Sequence, residues 1–190
     1  MKTFLAGLIL CIVLSGCGKS SNDNVNSPYF LQTLISNVQY STSSVATFVL
    51  SNQQGCATNK NYTVTNIGQI NVDAYYLDCY IKHYANNIDF ASTKAGSHRI
   101  YDAGVLLSNP ACNCDLIIGL IDNSIPNLYS NTVLQPTNIV NNITSIVKID
   151  SAAAYVKYEI KGNFSCTFKN TNNTVIPVTG QFDVPIKVAK

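Results

Sequence analysis

The chain has few charged side chains, and this deficit narrows what it can bind. Only 12% of its 190 residues are charged, with a single arginine, Arg99, and a single glutamate, Glu159. A protein that binds nucleic acid needs clustered arginine and lysine side chains to neutralise phosphates. The lysines here are scattered singly, so the sequence predicts no nucleic-acid partner.

The sequence also lacks the common catalytic motifs. It contains no Gly-x-Ser-x-Gly, no His-Glu-x-x-His and no glycine-rich phosphate loop. Its aspartates could supply a glycosidase-like carboxylate pair, but any folded protein offers as many. Neither His83 nor His98 stands in a catalytic motif. We therefore expect a protein that is not an enzyme, needs no cofactor and has no dedicated metal site.

What the N-terminus does contain is an export signal. Lys2 provides a positive charge, and residues 4–14 form an apolar stretch too short to cross a bilayer as a helix. An ordinary cleavage site needs small residues at the first and third positions before the cut. Gly16 meets this requirement, whereas Leu14 is too bulky.

The four residues Leu14-Ser15-Gly16-Cys17 resemble the lipobox of bacterial lipoproteins. The resemblance implies that residues 1–16 are a lipoprotein signal peptide and that Cys17 becomes the lipidated N-terminus. Several acyl chains together hold a protein stably on a membrane. Gly18 is not the aspartate found in many lipoproteins of the inner membrane, so the resemblance implies the outer membrane of the cell envelope. Both the periplasmic and the surface-facing side remain open.

Residues 17–27 are small and polar, as expected for a flexible tether. Residues 28–190 are long enough for a single domain with a buried core. This part is rich in asparagine and tyrosine and poor in the long-chain residues that favour helices, so we expect it to be β-rich. One helix is expected over residues 28–38, where a proline follows a serine cap and apolar residues recur at spacings near 3.6.

Elsewhere the apolar period is two, which predicts strands. The last predicted strand contains Pro177 and Pro185, which favours an edge strand at least in part. We expect an antiparallel β-sandwich or partly open barrel with a short N-terminal helix. The predicted strands are residues 45–50, one or two strands within 68–84 with a bend at 71–73, a hairpin of 100–107 with 112–122, 143–149, and a long hairpin of 156–168 with 176–188.

The C-terminal quarter resembles the closing strands of small β-rich envelope lipoproteins of unknown function. This resemblance implies an envelope location and a β fold, and it implies no activity. The matching residues are Gly162, Phe164, Phe168, Val178, Thr179, Gly180, Phe182, Val184 and Pro185.

Five cysteines remain after Cys17, and an exported protein can form disulfides. Their odd number leaves at least one without a partner in the same chain, and the pairing stays open. An alternative use is a site for a soft metal or for thiol redox chemistry, in which two of these thiolates are joined by His83 or His98. The disulfide candidates are Cys56, Cys79, Cys112, Cys114 and Cys166, and the metal or redox alternative uses Cys112 and Cys114.

Alternation over residues 75–84 places Tyr76, Tyr80 and Tyr84 on one face of a strand. Tyrosine rings suit a sugar or a protein partner, although cross-strand tyrosine pairs can also simply stabilise a sheet. In addition, Asp150-Ser151-Ala152 resembles a bacterial O-glycosylation acceptor, with Ser151 as the modified residue in a predicted loop.

The sequence as a whole predicts a lipid-anchored, non-catalytic envelope protein. Its partners are expected to be the membrane and a glycan or envelope protein, unless its role is structural support. The alternative function is extracytoplasmic metal binding or thiol redox chemistry at Cys112 and Cys114.

Overall fold

A computed structural model describes residues 29–43, 50–54, 60–72, 74–102, 112–123, 140–169 and 174–190. The predicted signal peptide, Cys17 and the whole of the predicted tether lie outside these residues. In chain order the elements are β1 (Phe30–Ile35), β2 (Val38–Thr42), β3 (Leu50–Gln54), β4 (Asn61–Asn71), β5 (Tyr75–Tyr84), α1 (Asn87–Phe90), β6 (Gly96–His98), β7 (Ile100–Asp102), β8 (Asp115–Asp122), β9 (Val140–Ser151), β10 (Tyr155–Lys169) and β11 (Val175–Ala189).

The strands form two sheets whose inner faces share one core. The first sheet has the order β2-β1-β11-β10-β9-β6, and the second has the order β3-β4-β5-β8-β7. Neither sheet closes into a barrel among the described strands. Buried side chains from both sheets, such as Ile160 of the first and Ile81 of the second, belong to the same apolar cluster. The predicted mainly β fold is confirmed, and the two layers are those of a β-sandwich.

The longest pairing joins β10 to β11 over fifteen residues of each strand, from Tyr155 opposite Ala189 to Lys169 opposite Val175. Every second residue points into the core, as the alternation predicts. The long C-terminal hairpin is therefore confirmed as two paired strands. The inward row of β10 is Val156, Tyr158, Ile160, Gly162, Phe164, Cys166 and Phe168.

Two glycines in this hairpin lie beneath phenylalanine rings of the partner strand. Gly162 is opposite Phe182, and Gly180 is opposite Phe164. A Cβ atom on Gly162 would lie 2.5 Å from the Phe182 ring, and one on Gly180 would lie 2.5 Å from the Phe164 ring. These distances are too short for a non-bonded carbon pair. Each ring thus occupies the space that a side chain of its cross-strand neighbour would fill.

The helix predicted over residues 28–38 is wrong, because this segment forms β1 and the start of β2. Leu31, Thr33 and Ile35 are buried with a period of two, while Leu34 is exposed. The adjacent apolar pair Leu34-Ile35 fits a helical period as well as an extended one. The segment forms a strand because β1 pairs with β11. Tertiary contacts here override a local helix signal.

The hairpin predicted between residues 100 and 122 is also wrong. β7 pairs with β8 in parallel, with Ile100 opposite Leu116. Two parallel strands cannot be joined by a tight turn. The predicted turn at residues 108–111 and most of the predicted strand at 45–50 lie outside the described residues.

The positions of β4, β5 and β9 agree with the sequence, whereas the place of β11 in its sheet differs in part. β4 and β5 flank the predicted bend, and β9 contains the strand predicted at 143–149. The segment of β11 that pairs with β1 runs from Val178 to Asp183, so Pro177 lies immediately before it and Pro185 two residues after its end. A proline lacks an N–H for such pairing. β11 is thus an interior strand between β1 and β10, so the predicted edge strand is wrong over residues 178–183, and Ala189 near its C-terminal end pairs with Asn86.

Among the described residues, no helix is long and apolar enough to cross a membrane.

We predict that Gly162→Ala lowers the free energy of unfolding by about 1–3 kcal/mol, because the new methyl group collides with the Phe182 ring. Urea unfolding of the domain measures the loss. Ser165→Ala, on the outer face of the same strand, is the matched control and should cost much less. Combining Gly162→Ala with Phe182→Leu should cost less than the sum of the single changes. Equal stability of Gly162→Ala and Ser165→Ala would contradict this packing.

Candidate functional site

The predicted alternation in β5 is confirmed. Leu77, Cys79, Ile81 and His83 are buried and face the first sheet. Tyr76, Tyr80 and Tyr84 occupy the alternate positions of β5, as expected, but each is half-buried rather than fully exposed, and Tyr84 also packs against the main core.

Side chains near the middle of the outer face of the second sheet are buried. Val64 of β4 and Ile117 of β8 are each 1% exposed and form a small apolar cluster with Tyr80 and Tyr101. Lys82 lies on the same face and is also only 1% exposed. The stripe of tyrosines is therefore not one continuous exposed surface.

Tyr84 has a structural role at one end of this face. Its ring packs on the cross-strand neighbour Tyr62, with 4.9 Å between ring centroids. The Lys82 ammonium lies 5.1 Å from the Tyr62 centroid, which is a cation–π contact. For Tyr84, the sheet-stabilising interpretation of the tyrosines is the one that the contacts support.

The other end of the face carries a polar group that we call the Tyr76 cluster, formed by Gln69, Tyr76, Asp78 and Tyr80. Gln69 Nε2 donates to the Tyr76 hydroxyl at 3.0 Å, and this hydroxyl donates to Asp78 Oδ1 at 3.1 Å. Gln69 is exposed, and Tyr76 and Asp78 are half-buried. The cluster thus presents an amide, phenols and a carboxylate at an accessible end of the sheet.

The phenols of this cluster stay protonated. Partial burial, with the neighbouring Asp78 carboxylate as the next cause, raises the pKa of Tyr76 to about 12. Burial and Asp78 also raise the pKa of Tyr80. Both hydroxyls therefore remain hydrogen-bond donors and acceptors at neutral pH.

The segment Cys112-Asn113-Cys114 is part of a hydrogen-bonded connection between the two sheets. Asn113 Oδ1 accepts from the Tyr84 N–H at 3.0 Å, and Asn113 Nδ2 donates to Thr93 Oγ1 at 2.7 Å. Cys114 is buried and has a positive φ of 59°. The turn is fixed by its neighbours rather than open to a ligand.

Asp115 and Asn141 complete this connection. We call the group formed by Arg99, Asn113, Asp115 and Asn141 the Asp115 junction. Asp115 accepts from the backbone N–H groups of Arg99, at 3.1 Å, and of Cys112, and its carboxylate lies 3.2 Å from the Arg99 guanidinium. Asn141 Nδ2 donates to the carbonyl oxygens of Arg99 at 3.0 Å and Cys114 at 3.1 Å. The junction therefore links β9 of the first sheet to β8 of the second.

The metal or redox alternative lacks supporting geometry. Burial, followed by the Asp115 carboxylate, raises the pKa of Cys114 to about 12, which suppresses the thiolate needed to bind a metal or attack a disulfide. His83 is fully buried, with Nε2 2.9 Å from Thr65 Oγ1 and Nδ1 2.8 Å from the Tyr84 carbonyl oxygen. His98 Nδ1 lies 3.1 Å from the Asn113 carbonyl oxygen. The part of the chain that the structure describes has no group of three His, Cys, Asp or Glu suited to a metal ion.

Three of the five disulfide candidates are buried thiols that take no part in a disulfide: Cys79, Cys114 and Cys166. A bridge at any of these three is therefore a wrong prediction, because they pack as small apolar side chains in the core. The one pair left among the candidates is Cys56 with Cys112. Cys56 lies outside the described residues, so this bridge stays a prediction.

Ser151 is exposed at the end of β9, where its N–H donates to Asp150 Oδ1 at 2.7 Å. The sequence placed it in a loop, whereas it is the last residue of a strand. Its glycosylation stays a prediction.

Sequence reasoning did not identify the Asp115 junction or the partners of Tyr76. Asn113 and Asn141 are two of many asparagines, and nothing in their local pattern distinguishes them. Comparison with known protein families, curated proteins and solved structures finds no match to this chain.

We predict that His83 makes stability depend on pH. Burial lowers its pKa to about 4, opposed in part by its hydrogen bond to the Tyr84 carbonyl. The unfolded chain binds this proton near pH 6.5, so stability is highest above about pH 6.5 and falls by about 3 kcal/mol as the pH drops to about 4.

Urea unfolding at several pH values measures this loss. The difference between wild type and His83→Gln should shrink as the pH falls, because the variant lacks the titration. His98→Gln is the matched control and should follow wild type. Parallel pH profiles for wild type and His83→Gln would show that His83 is not a buried neutral histidine.

Proposed function

We propose that this chain is a lipid-anchored protein of the bacterial outer membrane that binds a glycan or an envelope protein without catalysis. Cys17 carries the lipid, residues 17–27 form the tether, and the β domain presents the binding surface. The sequence Leu14-Ser15-Gly16-Cys17 after an apolar stretch supports the anchor.

The observation that supports ligand binding is the Tyr76 cluster. Gln69, Tyr76 and Asp78 form a chain of hydrogen bonds at an accessible end of the second sheet. This chain holds the side chains in place before a ligand arrives, which lowers the entropic cost of binding. A half-buried phenol also offers an apolar ring face and a polar tip to a sugar or a protein surface.

We predict that Cys17→Ser abolishes lipidation and releases the protein from the membrane fraction, because the acyl chains are its only proposed anchor. Intact mass spectrometry of wild type should show loss of residues 1–16 and addition of fatty acyl groups. Cys11→Ser, within the signal peptide, is the matched control and should be processed as wild type. An unmodified Cys17, or retained residues 1–16, would contradict the proposal.

We predict that Tyr76→Phe weakens ligand binding by about tenfold, since it removes one hydroxyl that donates to Asp78 and can contact a ligand. The measurement uses soluble protein beginning at Gly18 on a glycan array and on immobilised envelope protein fractions. Tyr155→Phe, on the first sheet, is the matched control. No binding by wild type, or equal binding by Tyr76→Phe, would contradict a ligand site at this cluster.

A further inference from the structure

The outer face of the first sheet carries a groove of about 410 Å³ that opens to solvent. It spans β2, β1, β11 and β10, and it lies on the opposite side of the sandwich from the Tyr76 cluster. Its volume is in the range of small-molecule binding sites. The polar side chains that line it include Gln32, Gln39, Asn163, Thr179 and Gln181.

The strand register arranges three of these amides in one row. Gln32 of β1 is opposite Gln181 of β11, and Gln181 is opposite Asn163 of β10. Neighbouring strands are about 4.8 Å apart, so the row presents amide groups at regular intervals across the sheet. The adjacent row carries Leu34 and Thr179, and Gln39 of β2 lies beside Leu34.

These side chains can both donate and accept hydrogen bonds. Gln181 Nε2 donates to Gln32 Oε1 at 2.5 Å, which fixes the two amides relative to each other. An amide has an NH₂ group and a carbonyl oxygen, so Gln32 still offers donors and Gln181 still offers an acceptor.

Among the residues that the structure describes, none with a charged side chain lines the groove. The charged residues in the next cross-strand row, Lys161 and Asp183, pair with each other at 2.7 Å. A phosphorylated or carboxylated ligand would therefore lose its hydration without gaining an ion pair. Leu34 is 38% exposed and adds an apolar patch beside the amides.

We propose that this groove binds a neutral oligosaccharide. Sugar hydroxyls both donate and accept, as the amide row requires, and the C–H face of a sugar ring can pack on Leu34. An extended peptide is the weaker fit, because peptides usually bind by pairing with a free sheet edge. In the groove the backbones of β1, β11 and β10 are already paired on both sides, so only side chains are offered.

The test is an NMR titration of the ¹⁵N-labelled domain with neutral oligosaccharides of the maltose, cellulose, chitin and mannan series. Oligogalacturonate is the charged comparison, and a Gly-Ser peptide is the uncharged peptide comparison. We expect at least one neutral series to shift the side-chain NH₂ signals of Gln32, Asn163 and Gln181 saturably. Gln181→Ala and Asn163→Ala should each weaken this binding by about tenfold.

Gln69→Ala, on the opposite sheet, is the matched control and should leave groove binding unchanged. Because this variant and Tyr76→Phe alter the Tyr76 cluster alone, the two sites can fail independently. The proposal is overturned if no neutral series shifts the groove amides, if Gln181→Ala binds as wild type does, or if only the peptide or the charged sugar binds there.

Discussion

The two-layer structure depends on side chains that pack directly against the backbone at glycine residues. In the first sheet, Phe182 covers Gly162, and its cross-strand neighbour on β1 is Leu31. Leu31 in turn lies against Gly68 of the second sheet, where an added Cβ atom would be 2.6 Å from Leu31 Cδ2. One line of contacts therefore runs from the centre of the first sheet to the backbone of the second. Side chains at either glycine would push the rings outward or the sheets apart.

The Asp115 junction holds the sheets together in a different way. Its hydrogen bonds use a buried carboxylate, whose charge is compensated by the Arg99 guanidinium and two backbone N–H groups. A buried charge is tolerated only with such partners. At this turn Cys114 points inward as a buried, protonated thiol, and Asn113 and Asp115 make the polar contacts.

Much of the fold could be predicted from local alternation, and the failures have physical causes. The rows of β10 and β11 alternate over fifteen residues, so their period is unmistakable. Residues 28–38 are shorter, and Leu34-Ile35 satisfies both a helical and an extended period. The parallel pairing of β7 with β8 depends on contacts between residues far apart in the sequence, which no local pattern records. Bridges at Cys79, Cys114 and Cys166 were wrongly predicted because an exported location alone suggested disulfides, whereas these three side chains are buried in the core.

The candidate sites were predictable only in part. Alternation placed Tyr76 on the correct face, but its partner Gln69 depends on the β4–β5 register, which contains an irregularity between Asn66 and Gly68. The amide row of the first sheet depends on three strands meeting in register, and two of them are over a hundred residues apart in sequence. Such a row has no signature within any one strand.

The central claim is that the two sheets close over one apolar core that contains Cys79, Cys114 and Cys166. Thiol labelling of the soluble domain beginning at Gly18, with each labelled cysteine identified by peptide mass spectrometry, tests this claim most directly. The account predicts that these three thiols stay unlabelled in the native protein and become labelled together when urea unfolds it. Rapid labelling of any of the three under native conditions, or the discovery of a disulfide at one of them, would contradict it.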